Sequence, residues 1–163
     1  FNSGEATIDG LELDITWALG ENFLRGVGYA YIDSDIDNAI FPDGSDRSST
    51  TELVWAPEHA YSITADWDIP VSYGVYRLHA DYAWQDDQLA LANTDFGEIT
   101  VEAYGLLNAR LSLSELEMMG GDWQFALWAK NLQDRDNANY AIGTTSNTYL
   151  TPRMYGAELI FEF

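Results

Sequence analysis

Residues Thr151–Phe163 read TPRMYGAELIFEF, and the alternation in this stretch decides the fold. Counting back by twos gives Phe163, Phe161, Leu159, Ala157 and Tyr155, all apolar or aromatic. The interleaved set, Glu162, Ile160, Glu158, Gly156 and Met154, carries both carboxylates. Side chains on a strand alternate faces with period two, so the segment has one greasy face and one mixed polar face. It closes on Phe163. An exposed aromatic suits a face that meets lipid, with the last ring at an interface girdle, better than the last strand of a soluble sandwich.

The same reading extends outward through the chain. A first strand from about Glu5 to Trp17 alternates Leu11, Leu13, Ile15 and Trp17 with Glu12, Asp14 and Thr16. Ahead of Gly10 the apolar Ala6 and Ile8 fall on the opposite parity, which reads as a bulge at Asp9-Gly10. The second strand, Phe23 to about Ile32, offers either Phe23, Val27, Tyr29 and Tyr31 or Leu24, Gly26, Gly28, Ala30 and Ile32 to lipid. The first choice is favoured because it leaves Arg25 beside the short turn, where a charge costs little. A third strand descends through Trp55 and Pro57 to Ile69, with Tyr61, Ile63, Ala65, Trp67 and Ile69 out. Pro57 lacks a ladder donor and belongs near the outer rim. The fourth places Tyr76, Leu78, Ala80, Tyr82 and Trp84 out, and Arg77, His79 and Asp81 in. A fifth, ending at Leu113, puts Leu107, Ala109 and Leu111 out and Asn108, Arg110 and Ser112 in. The sixth has Trp123, Phe125, Leu127 and Ala129 out against Gln124, Trp128 and Lys130 in. Short links (about 19–22, 70–74 and 115–121) alternate with long polar ones (about 33–51, 86–98 and 133–150), as periplasmic turns alternate with outer loops. Phe1 reads as part of an outer loop. Seven strands leave two open edges that a bilayer does not tolerate, so the lipid-facing logic requires further strands.

Composition narrows the function classes. Net charge is −20, from 27 acidic against 7 basic residues, which excludes nucleic acid as a partner and weighs mildly against anionic cargo. Zero cysteines exclude a disulfide scaffold, a thiolate metal site and a Cys nucleophile. No run approaches the roughly 18 apolar residues of a spanning helix, a test that is silent on barrels. No phosphate-binding Gly loop, nucleophile elbow or metal-spaced His cluster is present, and no cofactor is expected.

Several fragments together resemble the C-terminal barrel portion of a TonB-dependent outer-membrane receptor. They are Ala6-Thr7-Ile8-Asp9-Gly10-Leu11-Glu12-Leu13, Tyr29-Ala30-Tyr31-Ile32-Asp33, Ala56-Pro57-Glu58-His59, Trp128-Ala129-Lys130-Asn131-Leu132-Gln133-Asp134 with Tyr140, and Pro152-Arg153-Met154-Tyr155-Gly156 with Phe163. Gln133 departs from the aromatic or Thr usual before the Asp. The resemblance implies an all-β antiparallel transmembrane barrel segment of about seven strands within a 22-stranded barrel, residues 1–163 forming its C-terminal part. It further implies energised uptake of a scarce solute such as a siderophore, cobalamin or oligosaccharide, in the outer membrane of a Gram-negative bacterium. A plug domain and a motif for the inner-membrane TonB complex would lie in a missing N-terminal part. The implied partners are outer-membrane lipid and lipopolysaccharide, the barrel-assembly machinery reading Tyr155, Leu159, Phe161 and Phe163 on the terminal strand, and small-molecule cargo. The chain is not expected to be an enzyme.

Candidate residues follow from face and position. Asp33, Asp35 and Asp37 alternate like a Ca²⁺ loop and are candidates for a divalent ion, but Asn38 and Gly44 stand where an EF-hand needs Gly and Glu. A solvated acidic loop is the stronger reading. His59 and His79 are expected to lie apart, with His79 nearer residue 65. Most of Trp17, Tyr31, Trp55, Trp84, Trp123 and Trp128 suit interface girdles. Trp55 and Trp128, with the lumen cations Arg77 and Arg110, are the cargo-contact candidates. Three other classes stay open: a complete eight-stranded barrel with a strand hidden in 133–150 or 33–51, an outer-membrane hydrolase using His59, and a soluble sandwich.

Overall fold

The computed structural model describes residues 4–93, 97–142 and 146–163; Phe1 lies outside them. Eleven strands are described: β1 (Gly4–Ala18), β2 (Phe23–Ala39), β3 (His59–Val71), β4 (Gly74–Gln85), β5 (Gln88–Asn93), β6 (Gly97–Val101), β7 (Tyr104–Met118), β8 (Gly121–Lys130), β9 (Ala138–Ile142), β10 (Ser146–Tyr149) and β11 (Met154–Glu162). Seven form one antiparallel sheet in the order β1-β2-β3-β4-β7-β8-β11. The pairs β5–β6 and β9–β10 are separate two-stranded hairpins on the outer side. The strand sought in 133–150 therefore exists as β9–β10 but does not join the main sheet, which keeps β1 and β11 as its edges.

Register turns the alternation of single strands into rows. Phe23, Trp67, Leu78, Leu111, Leu127 and Ala157 stand side by side across six strands. The next row runs Trp17, Arg25, Ala65, Ala80, Ala109, Ala129 and Tyr155. These pairings place the Phe23–Tyr31 parity of β2 on the apolar face, as favoured above. Among the described residues no second sheet packs against that face: Leu127 is 61 % and Leu159 59 % exposed. In water such a face would drive association, whereas in a bilayer it is satisfied by acyl chains. Aromatics concentrate at its two ends. Tyr29, Tyr31, His59, Tyr61 and Trp84 stack near the outer end, and Phe23–Trp67, Tyr73–Tyr76 and Trp123–Phe161 lie near the turns. Arg25 lies over the Phe23 ring at 4.6 Å, within the lower belt.

Three boundaries differ from the sequence reading. β2 continues past Ile32 to Ala39, so Asp33, Asp35 and Asp37 belong to a strand and not to a loop. Polar alternation resembles a loop when a strand rises above the apolar band. The irregularity in the β1–β2 ladder lies at Glu5/Ala6, opposite Asp37, and pairing runs unbroken through Asp9–Asp33 and Gly10–Ile32. Gly10 serves close approach instead: a Cβ there would stand 2.8 Å from the Tyr31 carbonyl oxygen. β7 runs on to Met118 through a bulge between Leu113 and Leu116, with Glu115 at φ 58°. The actual turn is the two residues Met119 and Gly120, at φ 53° and 86°, the signature of a type I′ hairpin. Trp55 and Pro57 precede β3, in the outer connection.

Candidate functional site

The polar face is a ladder of paired charges. His79 Nδ1 donates to Asp66 across β3–β4 at 2.7 Å, one residue from the expected neighbour, and its Nε2 lies 3.4 Å from Asp81. Asp81 accepts from Asn108 Nδ2 at 2.8 Å. Arg77 reaches Asp68 at 3.6 Å and Glu115 at 2.8 Å. Arg110 Nη2 donates to Glu158 at 2.7 Å, crossing over β8. Both arginine candidates lie on this polar face, and both are already matched to carboxylates.

Trp128 shares this face, in the row Leu24–Asp66–His79–Arg110–Trp128–Gly156. Its indole lies across Gly156, where a Cβ would stand 2.5 Å from the ring. Lys130 Nζ sits 6.0 Å from the ring centroid. His59 is on the opposite, outward face; it shares a 2.9 Å hydrogen bond with the Tyr29 hydroxyl and lies 3.7 Å from Glu58. The two histidines are not brought together.

Above the lumen the outer connections pack on one another. Ala90 and Val101 of the β5–β6 hairpin form a small core with Trp55, Ile99 and Tyr104. Trp55 takes φ 60°, its N–H donates to Leu89 O at 2.8 Å, and its ring stacks on Tyr140 of β9 at 4.7 Å and 13°. The Trp55 candidate therefore has one ring face engaged by a second outer connection. Around the 3₁₀ turn Ser48–Thr50, the Ser45 hydroxyl and N–H hold the Asp43 carboxyl below its ordinary range, and Ser48 does the same for Asp46. Asp33 and Asp35 line a cavity of about 790 Å³ with Glu52, Glu58, Asp86 and Asp87. Asp37 is spent elsewhere, accepting from Thr7 Oγ1 at 2.8 Å. Among the described residues no group of three or more His, Asp or Glu converges as a metal site.

One organising residue escaped the sequence reading. Asn131, 4 % exposed and at φ 51°, ends β8 and pins both arms of the last outer connection. Its Nδ2 donates to the carbonyls of Arg135 and Thr151, its Oδ1 accepts from Arg135 N–H, and its own N–H donates to Asn108 Oδ1. An Asn directly after a clean strand was the available signal, since Asn tolerates the left-handed region. On the terminal strand, Tyr155, Leu159 and Phe161 face outward, and Phe161 packs on Trp123 at 4.6 Å and on Phe163 at 6.2 Å.

A family model described as TonB dependent receptor-like, beta-barrel, matches residues 1–132. Among curated proteins none matches in sequence. The ferric preacinetobactin receptor of Acinetobacter baumannii superposes with TM-score 0.78 at 19% identity, over 99% of this chain and 23% of that one. The ferric yersiniabactin uptake receptor of Yersinia pestis gives 0.76 at 18%, over 99% and 24%. A ferric citrate transporter in its unliganded form gives 0.68 at 19%, over 96% and 25%. At these identities the likeness is one of fold, and the chain spans about a quarter of the length of each structure.

Proposed function

The chain belongs to the TonB-dependent receptor family, and from that premise we propose that it forms the C-terminal barrel section of an outer-membrane receptor for energy-coupled uptake of a scarce solute. The observation that carries this is the seven-stranded sheet with one apolar, lipid-type face banded by aromatics, one charge-paired polar face and two open edges. Closed, such a sheet is a wall between lipid and lumen. In this reading the wall runs on into further strands, a plug fills the lumen, and the inner-membrane TonB complex engages the N-terminal part of the receptor. Tyr155, Leu159, Phe161 and Phe163 present the terminal strand to the assembly machinery, and the outer connections meet lipopolysaccharide. The likeness to ferric-chelate receptors and a ferric citrate transporter supports a ferric chelate as cargo. It enters past the packed outer connections bearing Trp55, toward the lumen wall bearing Arg77, Arg110 and Trp128.

Uptake in cells decides the matter. Iron-starved bacteria whose only such receptor contains this chain should accumulate at least one labelled ferric chelate from a panel of phenolate, hydroxamate and carboxylate types. Accumulation should stop when the proton gradient is collapsed or TonB is deleted. Uptake that survives either treatment would overturn energy coupling, and failure across the whole panel would overturn the ferric-chelate class.

A further inference from the structure

We propose that Arg25, set beside Trp17 and the Phe23–Trp67 ring pair, holds the phosphate of an anionic phospholipid against the outside of the barrel at its short-turn end. The inference goes beyond uptake. It rests on the outward face of β1–β3 meeting lipid, and on no property of the cargo.

Among the described residues Arg25 is the one basic side chain on the apolar face of the main sheet. The chain has 7 basic residues against 27 acidic, so most cations find a carboxylate. Arg47 pairs with Asp43, Arg77 with Asp68 and Glu115, Arg110 with Glu158 and Arg153 with Asp134. Arg25 is exposed and forms no ion pair or hydrogen bond through its guanidinium with any described residue. Its contact is the Phe23 ring, 4.6 Å away. A ring face attracts the charge but leaves the five N–H donors without oxygen acceptors.

The neighbouring strands do not supply them. Across the ladders Arg25 pairs with Trp17 on β1 and Ala65 on β3, an indole and a methyl group. Asp66 and Asp68 of β3 lie on the opposite face, engaged by His79 and Arg77. Whatever fills the lumen is behind the sheet. A strand added at the β1 edge would run two strand spacings from Arg25, about 10 Å, with Trp17 between them. The lipid side is left.

Depth selects the part of the lipid. Phe23 opens β2 and so lies nearer the turn than Arg25. The guanidinium over its ring therefore reaches toward the edge of the apolar band, as long basic side chains do at an interface. Phe23 and Trp67, edge to face at 6.2 Å, mark the level where headgroups begin. A guanidinium matches a phosphate there with two parallel N–H···O bonds. Water satisfies the donors but leaves the charge unanswered. A zwitterionic headgroup brings its own counter-charge, so an anionic one is favoured.

The test gives the complete receptor, stripped of lipid in detergent, equal amounts of phosphatidylglycerol and phosphatidylcholine with the same acyl chains. Bound lipids are then counted by native mass spectrometry. Phosphatidylglycerol should hold one site about fivefold more tightly, as one basic residue near an anionic lipid provides. Arg25→Gln should remove that site's preference, and Arg25→Lys, which keeps the charge, should retain most of it. Arg135→Gln, which removes a cation from the outer connection, should change nothing. Each variant is read in protein whose heat-modifiable gel band shows an intact barrel. No preference in the native receptor, a preference unaltered by Arg25→Gln, a lysine variant no better than the glutamine one, or an equal loss in Arg135→Gln would overturn the site. Energised uptake without the lipid preference would remove the site and leave the receptor reading standing; the preference without uptake would do the reverse.

Discussion

Asn131 concentrates constraint: three side-chain hydrogen bonds, two more through its own N–H and carbonyl, a left-handed backbone and near-complete burial. Asn131→Ala leaves the Arg135 and Thr151 carbonyls and the Arg135 N–H without these partners, and should cost about 2–4 kcal/mol. Asn131→Asp should cost more, because it turns a carboxylate toward the Arg135 and Thr151 carbonyl oxygens. Melting of the heat-modifiable band of the complete receptor, with tryptic cleavage within 131–153, reads both; unchanged melting of the alanine variant would show that the pin is dispensable. Sequence reasoning reached Asn131 only as part of a resembling fragment. Its partners lie four, twenty and twenty-three residues away, and no periodic pattern encodes such bonds. Gln133, the departure noted beside it, is exposed, so a polar side chain is accommodated.

Strands were legible where they were long and crossed the apolar band. The Tyr61–Ile69 alternation lies where read, and it makes a sharp prediction. Ile63→Arg, on the outward face, should cost about 2–4 kcal/mol near mid-bilayer. Thr64→Arg, one residue on and lumen-facing, should cost far less, and equal costs in chemical denaturation would break the assignment of faces. Legibility failed where polarity or a bulge disrupted the pattern. Asp33–Asp37 looked like a loop because β2 climbs above the band, and Glu115 looked like a turn because its left-handed backbone is a bulge. The true turn puts Met119 at φ 53°, a conformation that favours Asn or Gly. Met119→Asn should therefore stabilise the hairpin by about 0.5–1 kcal/mol, visible as a higher denaturation midpoint. The 40–58 connection should respond to acid. Serine hydrogen bonds depress the Asp43 and Asp46 carboxyls below their ordinary 3.8. Their contribution is thus complete above that value and fades as pH falls through it toward the lower folded values. Pepsin cleavage here, normalised to an unstructured control peptide, should rise below about pH 3.8 in the native sequence. With both Ser45→Ala and Ser48→Ala it should be faster at higher pH and change less with acid.

At the scale of the whole molecule the odd strand count was the most informative reading, because it concerns edges and not residues. β1 and β11 present unpaired backbone groups along their free sides, and the outward face between them is apolar between the belts that hold Arg25 and His59. The described structure offers no internal remedy, since β5–β6 and β9–β10 pair only with each other. Each unpaired N–H or C=O in hydrocarbon costs several kcal/mol, so a row of them outweighs the gain from burying the apolar face in lipid. The chain refolded alone in micelles should therefore aggregate through its edges, with β-type circular dichroism but no monomeric heat-modifiable band. Refolded together with the preceding strands of the receptor, it should yield that band. A monomeric, heat-modifiable species from the isolated chain would mean that the two edges meet, and the reading would revert to a small complete barrel.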